Sequence, residues 1–585
     1  MHPAKKIIIT LLLISSSFSG HCAPSTNLKK QKMMEDLDVI EQTFDTMYAP
    51  AQWKKNHLRW DLVEEMHNAK LEIHNKENIT TKDFQRIVKR IFDSTQDYHV
   101  SAHFYSLEAA LLPFQVRGAE ERYFIHDLYE HYHDFLVSGS GSENHIPILD
   151  GDELISIDGK RPHERIQKLV EKEFGPGQTE TDYALAQNYL TFRTGQLGHN
   201  IPKGGIAKLE IKNQESGKTN TYRMYWAYRP EEVLDLLVKA VPEKKALFDK
   251  QMISPLYETY KSSYAQAKKR LLPEVDEEEE VTSPNQSKLP DLGEVVWEAP
   301  KHYGFHAYIF ERPEGKKVGF VRIPNYYPAP DNEGFEKFTN HFAKIISKFE
   351  NETDGLVIDQ LDNPGGSVFY VYALASMLSD QPLSVPKHKM AITQAEIYEA
   401  VLDLYDYENI KNDKEARETF GAKTLTGYPV DYDLIQSFIS YFKFILNEWK
   451  HGRTITNSDY LYGIDYLKPY PNANYTKPIL LLVNSLDFSG GDFFPAILQD
   501  NNRVTLMGSQ TAGAGGYVLP HQFYNHNGIA YFSVTASIAE RDNGNPIENL
   551  GVKPDIPYSL TVDDICHQHR DYVKAIHKEI DKLMN

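Results

Sequence analysis

The chain is poor in cysteine, has no surplus of positive charge, and shows no apolar run long enough to cross a bilayer. Only Cys22 and Cys566 are cysteines among 585 residues, which excludes a disulfide-stapled scaffold and a thiolate metal centre. Lys and Arg number 63 against 82 Asp and Glu, for a net charge of −19. Binding to phosphate backbones needs a basic face, and no basic cluster in the sequence supplies one, so a nucleic-acid partner is excluded. His131 with His133, and His567 with His569, lack a second ligand pair at suitable spacing, so neither a metal nor another cofactor is expected.

What is present begins with an export signal. Lys5 and Lys6 precede an apolar run over residues 7–14 and a small, polar stretch over residues 15–23. These are the three regions of a secretory signal peptide, and the apolar run is too short for stable membrane insertion. The expectation is a leader over 1–23 and an exported mature chain. Without Cys22 no intramolecular disulfide is possible.

A length of 585 residues is too great for one core. Residues 24–105 form a helical region: Leu37, Ile40, Phe44 and Met47, then Phe84, Ile87, Val88, Ile91 and Phe92 recur at three- and four-residue spacing. It closes on Asp97-Tyr98-His99 and a short β-prone stretch. Residues 106–228 alternate apolar runs with turns. Within them Gly151-Asp152-Glu153-Leu154-Ile155-Ser156-Ile157-Asp158-Gly159 resembles the turn-strand-turn segment of PDZ domains, which implies a fold that binds extended peptides at a sheet edge. Residues 229–300 read as an acidic linker, with Glu277, Glu278, Glu279 and Glu280 unbroken, and as a possible inhibitory and processing segment. From 301 to 585 strands at 318–323, 355–359, 479–483 and 504–507 alternate with helical stripes, which is an α/β pattern interrupted by a helical insertion at about 390–450.

The chemistry is expected where the apolar run 479–483 ends. Ser489 then stands at a strand-to-helix turn, where its hydroxyl faces a crevice and the helix N-terminus behind it favours developing negative charge. Taken alone it also reads as an ordinary helix N-cap. A second strand, 355–359, leads into Asn363-Pro364-Gly365-Gly366, whose paired glycines let backbone N–H groups approach a ligand and suit an oxyanion site. The spacing is not that of a dinucleotide-binding loop. Downstream of Ser489, Gly513-Ala514-Gly515-Gly516-Tyr517 contains no Lys. A Ser hydroxyl needs a group to take its proton, so the base must come from elsewhere, and His is the natural choice.

Together these segments resemble the carboxyl-terminal processing (tail-specific) serine peptidases. The resemblance rests on Gly355-Leu356-Val357-Ile358-Asp359, Asn363-Pro364-Gly365-Gly366, Ser489, and Gly508-Ser509-Gln510-Thr511-Ala512-Gly513, in that order. It implies a multidomain α/β protein: a helical N-terminal region, a PDZ-like domain and a crotonase-like catalytic domain. Over nearly its whole length the chain is further similar to a secreted Ser-His-Glu branch of the family, in residues 49–54, 60–63, 97–99, 359–368, 487–489, 492–495, 511–516 and 547–552. This implies Ser489 as nucleophile, His99 as general base, Glu548 as the acid that orients the imidazole directly or through water, and Gly490 and Gly366 as oxyanion donors. It also implies protein or peptide substrates, a self-cleaving zymogen, a homodimer, and action as an effector on host proteins, with possible delivery to the host cytosol. A catalytically silent peptide-binding scaffold and hydratase or acyl-CoA-type chemistry on the same architecture are the alternatives.

Overall fold

The computed structural model describes residues 26–137, 146–175, 177–232, 264–268, 271–272 and 285–585. The expected leader, the acidic run at 276–283 and most of the stretch taken as a linker lie outside them.

The N-terminal region forms four helices: α1 (Thr26–Met47), α2 (Ala51–Leu58), α3 (Leu62–Asn75) and α4 (Thr81–Ser94), followed by strand β1 (Ser101–Phe104). Asp61 caps α3, and Thr80 with Asp83 forms a capping box that starts α4. Met33, Leu37, Ile40 and Phe44 of α1 pack against Phe84, Val88, Ile91 and Phe92 of α4, as the periodicity requires. This core is not self-contained. It takes in Ile529, Phe532 and Val534 from far downstream, and β1 pairs antiparallel with the strand that carries them, with Ser101 opposite Ser533 and Ala102 opposite Phe532.

The PDZ-like unit is a five-stranded antiparallel sheet, β2 (Gln115–Ala119), β3 (Arg122–His126), β4 (Glu153–Ile157), β5 (Ile206–Lys212) and β6 (Thr219–Tyr225), adjacent in that order. Helices α5 (Pro162–Glu173) and α6 (Glu180–Thr191) accompany it. Strand β2 lies at the sheet edge, where its Gly118 N–H is taken by Gln187 Oε1 of α6 at 2.7 Å.

The C-terminal sheet has seven strands: β7 (Glu294–Glu298), β8 (Ala307–Glu311), β9 (Lys317–Arg322), β10 (Gly355–Asp359), β11 (Ile479–Val483), β12 (Thr505–Gly508) and β14 (Ile556–Pro557). From β9 onward every pairing is parallel. Strands β10 and β11 are buried throughout, which explains their unbroken apolar sequence. Helices α7 (Asn332–Glu352) and α8 (Val368–Ala375) follow β9 and β10, and the insertion supplies α9 (Gln394–Tyr407), α10 (Asp413–Phe420) and α11 (Tyr432–Lys450). Helix α12 (Gly490–Asp500) follows β11, β13 (Ile529–Thr535) is the partner of β1, and α13 (Arg570–Leu583) covers the other face.

Strand β7 differs from the sequence reading, which placed residues 229–300 in a linker. Its Glu-Val-Val-Trp-Glu sequence has charged ends and exposed Val295 and Val296, which suits an edge strand and does not read as a core one.

Phe92 is the aromatic hinge between the helical layer and β13, with its ring 5.2 Å from Phe44 and 5.5 Å from Phe532. Phe92→Ala should cost about 3–5 kcal/mol, read as a lowered midpoint in chemical denaturation, and an effect under 1 kcal/mol would show that the layer is not held there.

Candidate active site

Ser489 occupies the turn between β11 and α12 with φ 54° and ψ −112°, a left-handed conformation costly for any residue but glycine. Its hydroxyl makes no capping bond to α12, so the plain N-cap role is not the one it fills. Behind it α12 is buried from Gly490 to Leu498. The turn is fastened from below by two buried carboxylates. Asp487 accepts the N–H groups of Asn363 and Asn484, each at 2.9 Å, and the Gln360 amide at 3.1 Å. Asp492 accepts from the Thr511 hydroxyl at 2.5 Å and from the N–H groups of Gly513 and Ala514 at 2.8 and 3.0 Å. Burial pushes both carboxyls up, Asp492 to about 6. One acid thus binds the Asn363 loop to the serine turn, and the other binds the glycine-rich loop to the serine helix.

The Asn363-Pro364-Gly365-Gly366 loop passes directly beside Ser489. A Cβ on Gly365 would lie 2.7 Å from the Cβ of Ser489, and one on Gly366 would lie 2.2 Å from the carbonyl carbon of Tyr326. Both glycines have positive φ, 95° and 147°. No side chain fits at either position, so glycine is required there. A Cβ on Gly490 would stand 3.2 Å from the N of Gly366, so the two N–H groups are close neighbours. Among the described residues neither donates a hydrogen bond to the protein.

His99 comes from the turn between α4 and β1. Its own N–H donates to Asp97 Oδ1 at 2.9 Å, and its carbonyl accepts from the Ser533 hydroxyl at 2.6 Å. Asp97 also accepts from the Tyr48 and Thr535 hydroxyls at 3.1 and 2.8 Å, so the turn is pinned to β13 from both sides. The imidazole is fully buried, and among the described residues neither ring nitrogen has a partner. Burial, helped by the Lys54 cation and opposed by Asp97, lowers its pKa to about 4, which keeps it neutral across the neutral range. Tyr98 and Phe488, the chain neighbours of His99 and Ser489, meet edge to face at 5.6 Å.

Glu548 is fully buried. One carboxylate oxygen pairs with Lys54 and the other accepts the Gly515 N–H at 3.1 Å. It makes no direct hydrogen bond to the His99 ring. Sequence reasoning missed Lys54: it is fully buried while the adjacent Lys55 is exposed and pairs with Asp61, and nothing in the local sequence separates the two. Asp97, Asp487 and Asp492 were likewise read only as motif neighbours. Of the paired histidines, His131, His133 and His567 are exposed and His569 lines the cavity described below; among the described residues no cluster could hold a metal.

A cavity of about 720 Å³ opens between β2 and α6 of the PDZ-like unit and the loops after β10 and β11, lined by Arg117, Gln187, Asp362 and Ser485. The PDZ-like core reaches into the active-site loops, taking in Phe488, Ala512 and Ala514.

Comparisons with known proteins agree with this architecture. A PDZ domain model matches residues 108–233 and the model of peptidase family S41 matches residues 317–558. An uncharacterized protein of Chlamydia muridarum is 33% identical over 99% of this chain and 97% of its own length, and a protein of Chlamydia pneumoniae is 35% identical over 97% and 92%. The solved structure of mature CPAF, the chlamydial protease-like activity factor, in complex with lactacystin has a TM-score of 0.80 and 32% identity, covering 95% of this chain and 99% of that one. Full-length similarity at this level, on a fold that sets a strained serine beside two free backbone donors, makes the chain a member of the CPAF-like branch of peptidase family S41 and a serine peptidase.

Proposed function

We propose that the chain is a secreted serine endopeptidase in which Ser489 is the nucleophile, His99 the general base, Glu548 the acid that orients it, and Gly490 and Gly366 the oxyanion donors. The observation that carries this reading is the pairing of a strained Ser489 with adjacent Gly366 and Gly490 N–H groups that no acceptor among the described residues uses. Ser489 Oγ attacks the scissile carbonyl carbon while a ring nitrogen of His99 takes its proton. The two N–H groups receive the charge that develops on the carbonyl oxygen, and such donors act without reorganisation in a buried site. His99 then passes the proton to the departing amine, leaving an acyl-Ser489. Water, deprotonated by the same imidazole, hydrolyses the acyl bond and restores the enzyme.

Protein substrates suit a site flanked by a PDZ-like unit and a cavity of about 720 Å³. Export is supported by the residues at 1–23. Synthesis as a self-processing zymogen is supported by the acidic segment at 276–283 and by the relative described as a mature form. A homodimer and action on host proteins are what the resemblance to the Ser-His-Glu branch implies. Lactacystin, which is bound to the solved relative, is expected to inhibit this chain also.

Ser489→Ala and His99→Ala should each lower casein hydrolysis by about 10⁴-fold or more, and a fluorophosphonate probe should label Ser489 in the unmodified protein. Intact proteolysis by the Ser489→Ala protein would sink the reading and leave the peptide-binding scaffold.

The pH dependence follows from the two partners. His99 must be neutral and Glu548 ionised. Burial and the Asp97 charge raise the Glu548 carboxyl, against Lys54 and the Gly515 N–H, whereas His99 titrates at about 4. Activity is therefore lost as pH falls through the raised Glu548 value, above the ordinary carboxylate range. In Glu548→Gln the residual kcat/KM should keep only a limb near pH 4, and an unmoved limb would assign it to another group.

A further inference from the structure

Helix α2 brings one side chain into the interior that neither packing nor the proposed triad accounts for. Lys54 is fully buried, and its ammonium has three acceptors: Glu548 Oε1, the Gln96 carbonyl at 3.0 Å, and Asn549 Oδ1 at 2.8 Å. That exhausts the three donors of a lysine. The acceptors belong to two separate turns, the one that leads into His99 and the one that carries Glu548. The neighbouring Trp53 indole N–H donates to Asn549 Oδ1 at 3.2 Å, and the Asn549 amide donates to the Gln96 carbonyl at 2.6 Å. The two turns are thus laced together around one cation.

We propose that Lys54 is the positioning residue for Glu548, its ammonium supplying the counter-charge that fixes the buried carboxylate for use with His99. The proposal rests on the triad reading given above.

An isolated carboxylate without solvent is costly, and breaking a buried pair by removing one partner leaves that cost uncompensated. The groups facing Glu548 leave little else to offset it. Asp97, from the His99 turn, carries the same charge, the Tyr48 phenol from the end of α1 is neutral, and the His99 imidazole is neutral. Among the described residues, Lys54 and the Gly515 N–H are the groups that favour the ionised form. Without Lys54, burial and the Asp97 charge raise the Glu548 carboxyl further, and the side chain loses the partner that holds its other oxygen while Gly515 holds the first. Arginine is no substitute: a planar guanidinium cannot aim donors at three acceptors set around a point, as a compact ammonium does.

The test is a pair of variants in the full chain, Lys54→Met and Lys54→Met with Glu548→Gln, beside Glu548→Gln alone, all followed by peptide hydrolysis across pH 5–10. Lys54→Met should lower kcat/KM at pH 7 by about 10²-fold, with its acid limb displaced upward by a unit or more and activity partly recovered at pH 9. If the single variant fails to fold, the double variant, which removes both charges together, still decides: it should match Glu548→Gln within threefold, because a residue that acts only through Glu548 has nothing further to lose. A further tenfold loss in the double variant, or a Lys54→Met limb at the wild-type pH, would overturn the proposal. Full activity of Glu548→Gln would instead remove the triad reading on which it rests.

Discussion

A buried ammonium and a buried carboxylate, 494 positions apart in the chain, close this fold on itself. Neither charge is tolerable alone out of water. The Lys54–Glu548 pair therefore forms only when α2 and the turn after β13 are both in place, and the same closure brings Asp97 against Tyr48 and Thr535. Around it lie the pairing of β1 with β13 and a hydrophobic core shared by α1, α4 and β13. The N-terminal helices belong physically to the catalytic domain, although the PDZ-like unit separates them from it in sequence.

This arrangement changes what kind of site the serine turn is. The proposed nucleophile and oxyanion donors follow adjacent parallel strands, β11 and β10, and are local products of the sheet. Asp487 and Asp492 tie those loops together without help from the N-terminus. The proposed base is different. His99 sits on a turn held by groups from elsewhere in the chain: its carbonyl accepts from Ser533, Asp97 accepts from Tyr48 and Thr535, the Gln96 carbonyl accepts from Lys54 and Asn549, and Tyr98 donates to Asp182. Loss of those contacts would leave the Ser489 turn formed without His99 beside it.

Much of the scaffold was legible in the sequence because burial on both faces leaves a plain mark. The runs at 355–359 and 479–483 are apolar throughout, and the helical stripe of α7 and the glycine pair at 365–366 stand out for equally direct reasons. Strand β7 was not legible: an edge strand buries little, so its charged ends and two exposed valines look like a connection. The site was legible as residue types and only partly as partners. Ser489 could be placed at its turn from the strand and helix that flank it, but its positive φ is a property of packing. Lys54 and Lys55 are identical in type and adjacent, and only a pairing with a residue hundreds of positions away makes one buried and the other exposed.

The PDZ-like unit adds a second constraint on the same loops. Phe488 and Ala514, on either side of Ser489 in the chain, belong to its hydrophobic core, and the Thr181 hydroxyl of α6 donates to the Ser485 carbonyl at 2.7 Å. Tyr98, next to His99, donates its hydroxyl to Asp182 of the same helix at 2.8 Å. One helix of the PDZ-like unit thus touches the segment before Ser489 and the segment before His99. Because interiors are packed to crystal density, α6 is a shared support for the two segments, and each is fastened to it by its own hydrogen bond.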